Sequence, residues 1–218
     1  MVCQEGRYVV FVWVGHSARN KVNIWRVDAE GSNPKQLTDG TRDIAPVCLP
    51  GGKWVYYQDV NAFEIRRVPI EGGASQIVPG TAIPNGSFTP GLAISRDGRL
   101  LAFLTIEGTE SPVHHIALVN LDAGQEPQRR MLDPDPRISS SPNFTPEGKA
   151  LVYPIHENGA DNLWLQPLNG SRGHAITNFQ SDTIRLFNFS PDGKTLGVMR
   201  SHTESDVVLL HDTGASPR

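Results

Sequence analysis

Along this chain the apolar residues gather in runs of three to eight, rich in β-branched and aromatic side chains, and no stretch repeats them at helical spacing. The runs 8–11, 54–57, 100–103, 151–153 and 196–198 each follow a tight polar turn. Those turns are one unit in five copies: Cys3-Gln4-Glu5-Gly6-Arg7, Leu49-Pro50-Gly51-Gly52-Lys53, Ser95-Arg96-Asp97-Gly98-Arg99, Thr145-Pro146-Glu147-Gly148-Lys149 and Ser190-Pro191-Asp192-Gly193-Lys194. The glycines at 6, 52, 98, 148 and 193 are 46, 46, 50 and 45 residues apart. In the last copy Ser190 can bond the following backbone, Pro191 presets φ, and Gly193 takes the positive φ that a Cβ resists.

After each such run comes another strand ending near a second glycine, at 23–27, 64–68, 115–119, 162–166 and 206–210. In four of the five a short segment follows, at 35–38, 75–78, 128–132 and 174–177. Four short strands in each period of about 45 residues is the repeat of a β-propeller blade. The chain therefore reads as one all-β domain, a β-propeller of about five four-stranded antiparallel blades, the first and last incomplete. The blades fall at approximately 1–43, 44–88, 89–138, 139–183 and 184–218.

Composition agrees with this picture. The 218 residues include 21 glycines and 17 prolines, as a turn-dense fold needs, and 38% hydrophobic residues suffice for its cores. A net charge of −3 without a basic stripe gives no electrostatic pull towards nucleic acid. No apolar run is long enough to cross a bilayer, and 1–7 does not have the pattern of a signal peptide. The compartment stays open. In repeat coordinates Cys48 sits where Ile94, Phe144 and Phe189 sit, an inward apolar position. Cys3 sits one position later, on the other face of its strand. Two free buried thiols are expected from this, and no disulfide.

We letter the strands of each blade a to d from the axis outward. Blade one then has a stub of strand a, and blade five lacks d, so the two ends do not complete one another. This favours part of a larger propeller, or association with another copy through open blade edges; a five-bladed ring with one imperfect blade is the alternative. The a–b and c–d turns share one face and are short. The opposite face carries the irregular b–c loops (14–20, 105–113, 155–161, 200–205) and d–a loops (39–45, 79–89, 133–141, 178–183), and variable loops on a rigid scaffold are where binding concentrates. Two d–a loops match, with Thr38 five residues before Asp43 and Thr177 five before Asp182. Arg42, Asp43, Asp182 and Arg185 are accordingly the candidate residues for a ligand or partner at the channel mouth. The competing reading makes each aspartate a cap for backbone amides at the entry to strand a.

Catalytic and metal signatures are missing. His16, His156 and His202 share the irregular face without ligand spacing, so no metal and no cofactor is expected. Gly193-Lys194-Thr195 lacks the glycine a phosphate loop needs, and there is no nucleophile elbow or zinc-protease motif. Asp133-Pro134-Asp135-Pro136 has a calcium loop's acids, but its prolines make it a rigid turn. Asn-x-Ser/Thr triplets at Asn85, Asn143, Asn169 and Asn188 are what turn-rich composition yields. A five-bladed glycosidase with channel carboxylates, drawn from Asp43, Asp182, Glu107 and Glu204, is an alternative without fixed geometry.

The run Phe189-Ser190-Pro191-Asp192-Gly193-Lys194, the stretch Asn23-Ile24-Trp25-Arg26-Val27-Asp28 with its Gly31, and Gln36-Leu37-Thr38 with Gly40 resemble the TolB-type, WD40-like β-propeller repeat. The likeness extends along the whole chain, although the Gly-His and Trp-Asp dipeptides of true WD repeats are absent. Residues 189–194 with Ser205-Asp206-Val207-Val208-Leu209-Leu210 also resemble the last blade of the C-terminal propellers of bacterial receptor-type serine/threonine kinases. Similar repeats precede the hydrolase of prolyl-oligopeptidase-type enzymes. The resemblance implies a non-catalytic binding or sensor scaffold, extracytoplasmic where it follows TolB, and it transfers no catalytic residue. Its partner would be a protein or a small ligand at the channel mouth, with no nucleic acid and no membrane insertion. The alternative it implies is the propeller portion of a peptidase.

Overall fold

Each tight turn folds its flanking runs into an antiparallel pair, and each pair grows outward into a blade. The computed structural model describes residues 1–15, 21–49, 51–82, 86–88, 90–108, 110–122, 129–190 and 192–204. His16, Asn85 and the strand expected over 206–210 lie outside them. Blade one is β1 (Val2–Cys3), β2 (Tyr8–Val14), β3 (Val22–Asp28) and β4 (Lys35–Gln36) in that order across the sheet. Blade two is β5 (Asp43–Cys48), β6 (Trp54–Asp59), β7 (Glu64–Pro69) and β8 (Gln76–Ile77).

Blade three is β9 (Gly86–Phe88), β10 (Ala93–Ile94), β11 (Leu100–Glu107), β12 (Val113–Asn120) and β13 (Arg129–Leu132), with β9 and β10 both on β11. Blade four is β14 (Asn143–Phe144), β15 (Ala150–Glu157), β16 (Ala160–Pro167) and β17 (His174–Ala175). Blade five contributes β18 (Thr183–Phe189) and β19 (Leu196–Ser201) among the described residues. All these pairings are antiparallel. The architecture is the β-propeller that the repeat predicts.

The turn chemistry is visible atom by atom. Gly193 N–H donates to the Ser190 carbonyl (2.8 Å), Lys194 N–H to Asp192 Oδ1 (3.0 Å) and Thr195 N–H to Ser190 Oγ (3.0 Å). Ser95 and Asp97 repeat the set, with Gly98 N–H to the Ser95 carbonyl (2.8 Å), Arg99 N–H to Asp97 Oδ1 (3.1 Å) and Leu100 N–H to Ser95 Oγ (2.9 Å). The hydrogen bond from the serine, followed by that from the backbone amide, holds both the Asp97 and the Asp192 carboxyls below the usual range.

Alternation along the b strands assigns one face to each neighbour. Val55 and Tyr57 pack against Tyr8, Val10 and Ile24 of blade one, while Tyr56 between them packs with Leu101 and Phe103 of blade three. Ala102 and Leu104 then meet Leu151, Tyr153 and Ile155 of blade four, whose Val152 meets Ile184 and Phe187 of blade five. The core is thus four inter-blade layers, not a single centre. On blade one the face turned away from blade two carries Val9, Phe11 and Trp13, the last 53% exposed.

The cysteines correct the sequence expectation. Cys3 and Cys48 are joined in a disulfide, with Cα atoms 5.9 Å apart. Their one-position offset in the repeat, which argues for free thiols on a single strand, is in fact the condition for the bridge. Neighbouring blades present opposite faces to one another, so Cys3, opposite Tyr8, points at blade two while Cys48, opposite Val55, points back at blade one.

Candidate functional site

The inner strands of blades two to five are all interrupted where they leave the d–a loops. In blade two the register slips between Ile44 and Val47, at Ala45 and Pro46. In blade three Pro90 and Gly91 separate β9 from β10, and in blade four Pro142 lies between the bridge Ile138–Ile155 and β14. Blade five slips between Ile184 and Leu186, which leaves Arg185 out of the ladder. Proline has no N–H to give a ladder and is accepted on an edge facing away from the sheet, here the axis.

Side chains from a neighbouring blade stitch the breaks. Gln58 brackets Gly91, its Oε1 accepting the Gly91 N–H (3.1 Å) and its Nε2 donating to the Gly91 carbonyl (3.4 Å). Ser141 Oγ donates to the Pro90 carbonyl (3.2 Å) and Asn143 Nδ2 to the Phe187 carbonyl (3.1 Å). The Cys48 N–H points at the Met1 sulfur (3.3 Å).

Between the inner strands runs an axial channel. Its part nearer the irregular loops is a cavity of about 280 Å³ lined by Pro46, Gly91, Ser140, Asn143, Arg185 and Leu186 among others. Its part nearer the tight turns, about 420 Å³, is lined by residues including Cys48, Ile94, Arg96, Asn143, Pro146 and Asn188. Among the described residues lining either part there is no aspartate and no glutamate. The charged side chains there are Arg185 and Arg96, and neither forms an ion pair with a described residue.

The four residues nominated from sequence occupy different settings. Arg185 lines the channel. Arg42 is exposed; its carbonyl accepts the Val60 N–H (3.0 Å) and its side chain forms no hydrogen bond with a described residue. Asp43 is buried, 1% exposed, with Asn23 Nδ2 3.5 Å from Oδ2 and no hydrogen-bond partner for Oδ1 among the described residues. Burial pushes its carboxyl up, against the Thr38 hydroxyl, and the nearby Asp59 adds to the rise. Asp182 has φ +69°, receives the Asp161 N–H on its carbonyl (2.9 Å), and binds Arg200 (2.8 Å) and His202 (3.0 Å) through its carboxylate.

The matched threonines have a local cause. Thr38 Oγ1 accepts the Ile24 N–H (3.0 Å) and Thr177 Oγ1 the Leu163 N–H (2.8 Å). Asn23 Nδ2 reaches the Gly40 carbonyl (2.8 Å) and Asn162 Nδ2 the Phe179 carbonyl (3.1 Å). The asparagine opening strand c and the threonine closing strand d are together the staple that starts each of these d–a loops. The aspartate five residues on is shared in spacing, not in environment.

The histidines do not converge. His156 bonds Asp161 (2.7 Å), His202 bonds Asp182 (3.0 Å) and His115 bonds Asp133 (3.0 Å). Among the described residues no group of three potential ligands is placed to hold a metal ion. Asp135 is clasped by Arg137, with Nε–Oδ1 2.8 Å and Nη2–Oδ2 2.9 Å, which holds its carboxyl low and leaves it a structural anion.

Asp43 carries a pH signature. Its carboxyl is raised in the folded chain, so the native state holds that proton to higher pH than the unfolded chain does. Its contribution is most favourable below the unfolded carboxylate range and is lost as pH rises through the folded value. Asp43→Asn is therefore expected to match or exceed the parent in stability at pH 7, and its advantage should shrink as pH falls towards 4. Urea unfolding of the two proteins between pH 4 and 8 checks this; a variant whose loss of stability is greatest at pH 7 contradicts it.

Comparison with known proteins gives the fold. No protein-family model and no curated protein matches the chain. Among solved structures it is similar to TolB from Acinetobacter baumannii, with a TM-score of 0.73 and 17% identity over 93% of this chain and 49% of that one. It is similar to oligogalacturonate lyase from Vibrio parahaemolyticus, with a TM-score of 0.70 and 16% identity over 92% of this chain and 57% of that one. Puromycin hydrolase aligns with a TM-score of 0.63 and 14% identity, over 89% of this chain and 34% of that one. The chain thus spans between a third and three-fifths of the length of these proteins, and what it shares with them is a TolB-like propeller.

Proposed function

We propose that the protein is a non-catalytic binding or sensor module that takes a protein segment or small ligand at the axial channel, entered from the face of the irregular d–a and b–c loops. The observation carrying this reading is the channel between interrupted inner strands, whose walls mix proline and aliphatic side chains with a few hydrogen-bonding groups. Concave, mostly apolar sites with sparse polar anchors are where small ligands and peptide segments bind. The lining also weighs against the glycosidase alternative, which needs a carboxylate pair across the site. A structural disulfide suits an oxidising compartment, in keeping with the extracytoplasmic setting that the TolB-type resemblance implies.

A second reading, the propeller portion of a peptidase, draws support from the puromycin hydrolase likeness, and there too the channel would be the recognising part. The test is ligand-observed NMR screening of a fragment library against three proteins: the parent, Ser140→Trp, which fills the channel, and Arg172→Trp, an exposed site away from it. Binding fragments should be lost in the first variant and kept in the second. Fragments indifferent to Ser140→Trp would refute the channel as the binding site.

A further inference from the structure

We propose that the channel's ligand is an anion, a carboxylate on an uncharged body, received by the guanidinium of Arg185. The inference rests on the channel being the binding site and adds the chemistry of what enters it.

Three observations carry it. First, the charge of the channel is opposite to that of the protein. The chain bears a net charge of −3, yet the described residues lining the channel include arginines and no carboxylate. A cleft lined with one sign of charge attracts and concentrates the opposite ion. Second, Arg185 is aimed by the fold. It is the extra residue where β18 slips past β19, and a bulge of this kind re-aims a side chain.

Third, Arg185 forms no hydrogen bond or ion pair with another described residue, although the carboxylates on either side of it in the chain, Asp182 and Asp192, do have partners. Arg200, opposite Ile184 across the ladder, already holds Asp182, and Ile184 N–H donates to Asp161 Oδ2 (2.9 Å). The Arg185 guanidinium, exposed at the channel wall, has donors that no described residue occupies. A guanidinium offers a planar fork that matches a carboxylate with two parallel hydrogen bonds. Asn143, Ser140 and Asn188 supply neutral polar contacts around it, and Pro46, Leu92 and Leu186 supply apolar wall. At the far end Arg96 extends the positive field, near enough to Asp192 to add to the lowering of that carboxyl.

The test is calorimetric titration of the folded chain with acetyl-Ala-Leu-Phe bearing a free C-terminal carboxylate, with the same peptide as its C-terminal amide, and with citrate, at low and at physiological salt. The acid should bind about tenfold or more tightly than the amide, since a hydrogen bond to a charged group is worth at least that factor. Arg185→Ala should weaken the acid by a similar factor, Arg185→Lys by less, and Arg185→Glu should abolish binding. Salt should weaken the acid more than the amide. All three variants should melt with the parent, because Arg185 is exposed.

Competition by citrate would identify free carboxylates as sufficient. Binding of the peptide acid without competition by citrate would identify a chain terminus as the source. Equal affinity for acid and amide, lost in Ser140→Trp, would overturn the anion while leaving the channel as the site. No binding of any probe at millimolar concentration would overturn both.

Discussion

Reduction of the Cys3–Cys48 bridge is expected to cost about 4 kcal/mol of stability, from the 45-residue separation it spans and the chain entropy such a loop restores to the unfolded state. In melting temperature this is a fall of roughly 10 °C for a domain of this size. The bridge also has a structural reason to matter. β1 is two residues long, paired to β2 only through Val2–Val9 and Cys3–Tyr8, with Met1 bonded to Val10 beside it. Without the bridge, that short ladder and the Cys48 contacts to Met1 and Val2 hold the first inner strand against blade two. Urea unfolding with and without a thiol reductant gives the value. The Cys3→Ser, Cys48→Ser double variant should match the reduced parent and be indifferent to reductant. Equal midpoints for oxidised and reduced parent would contradict the account.

Gly193→Val is expected to destabilise the chain by about 3 kcal/mol. Gly193 has φ +74°, where an L-residue loses about 1–2 kcal/mol and a β-branched one fares worst. A Cβ there would also lie 2.7 Å from Cβ and 3.0 Å from Cγ of Pro146 in the turn of blade four, a ring that cannot swing aside. Overpacking of that kind costs about 1–3 kcal/mol more. Gly170→Val separates the two terms, because Gly170 has φ +86° and open space around its Cβ position. The difference between the two variants in urea unfolding is the contact between neighbouring turns. Equal losses would show that the blades do not meet at Pro146.

Much of this architecture was legible because each blade must solve the same local problem. A serine or threonine three before the glycine closes the a–b turn through its own oxygen, at Ser95, Thr145 and Ser190 alike. Alternation in the b strands then dictates which residues face which neighbour. What could not be read were relations between blades. The cysteines looked mismatched on a single strand, and only the opposed faces of adjacent blades bring them together. Asp43 and Asp182 share a spacing from threonine, but one is packed under blade one beside Asn23 and the other is bonded to Arg200 and His202. The prolines at 46, 90 and 142 were the unused signal. Proline in an inner strand marks where that strand leaves its ladder, and the channel is built from those departures. The charge of the channel was legible only once inner strands separated by some 45 residues each were seen to share one axis.

The most direct measurement is a map of backbone amide shifts in the ¹⁵N-labelled protein as the peptide acid is added. The largest changes are expected at Gly91, Ser140, Asn143 and Leu186, with the outer strands at Gln36, Ile77 and Ala175 unmoved. Shifts confined to those outer strands, or spread over the surface without a focus on the axis, would contradict binding in the channel.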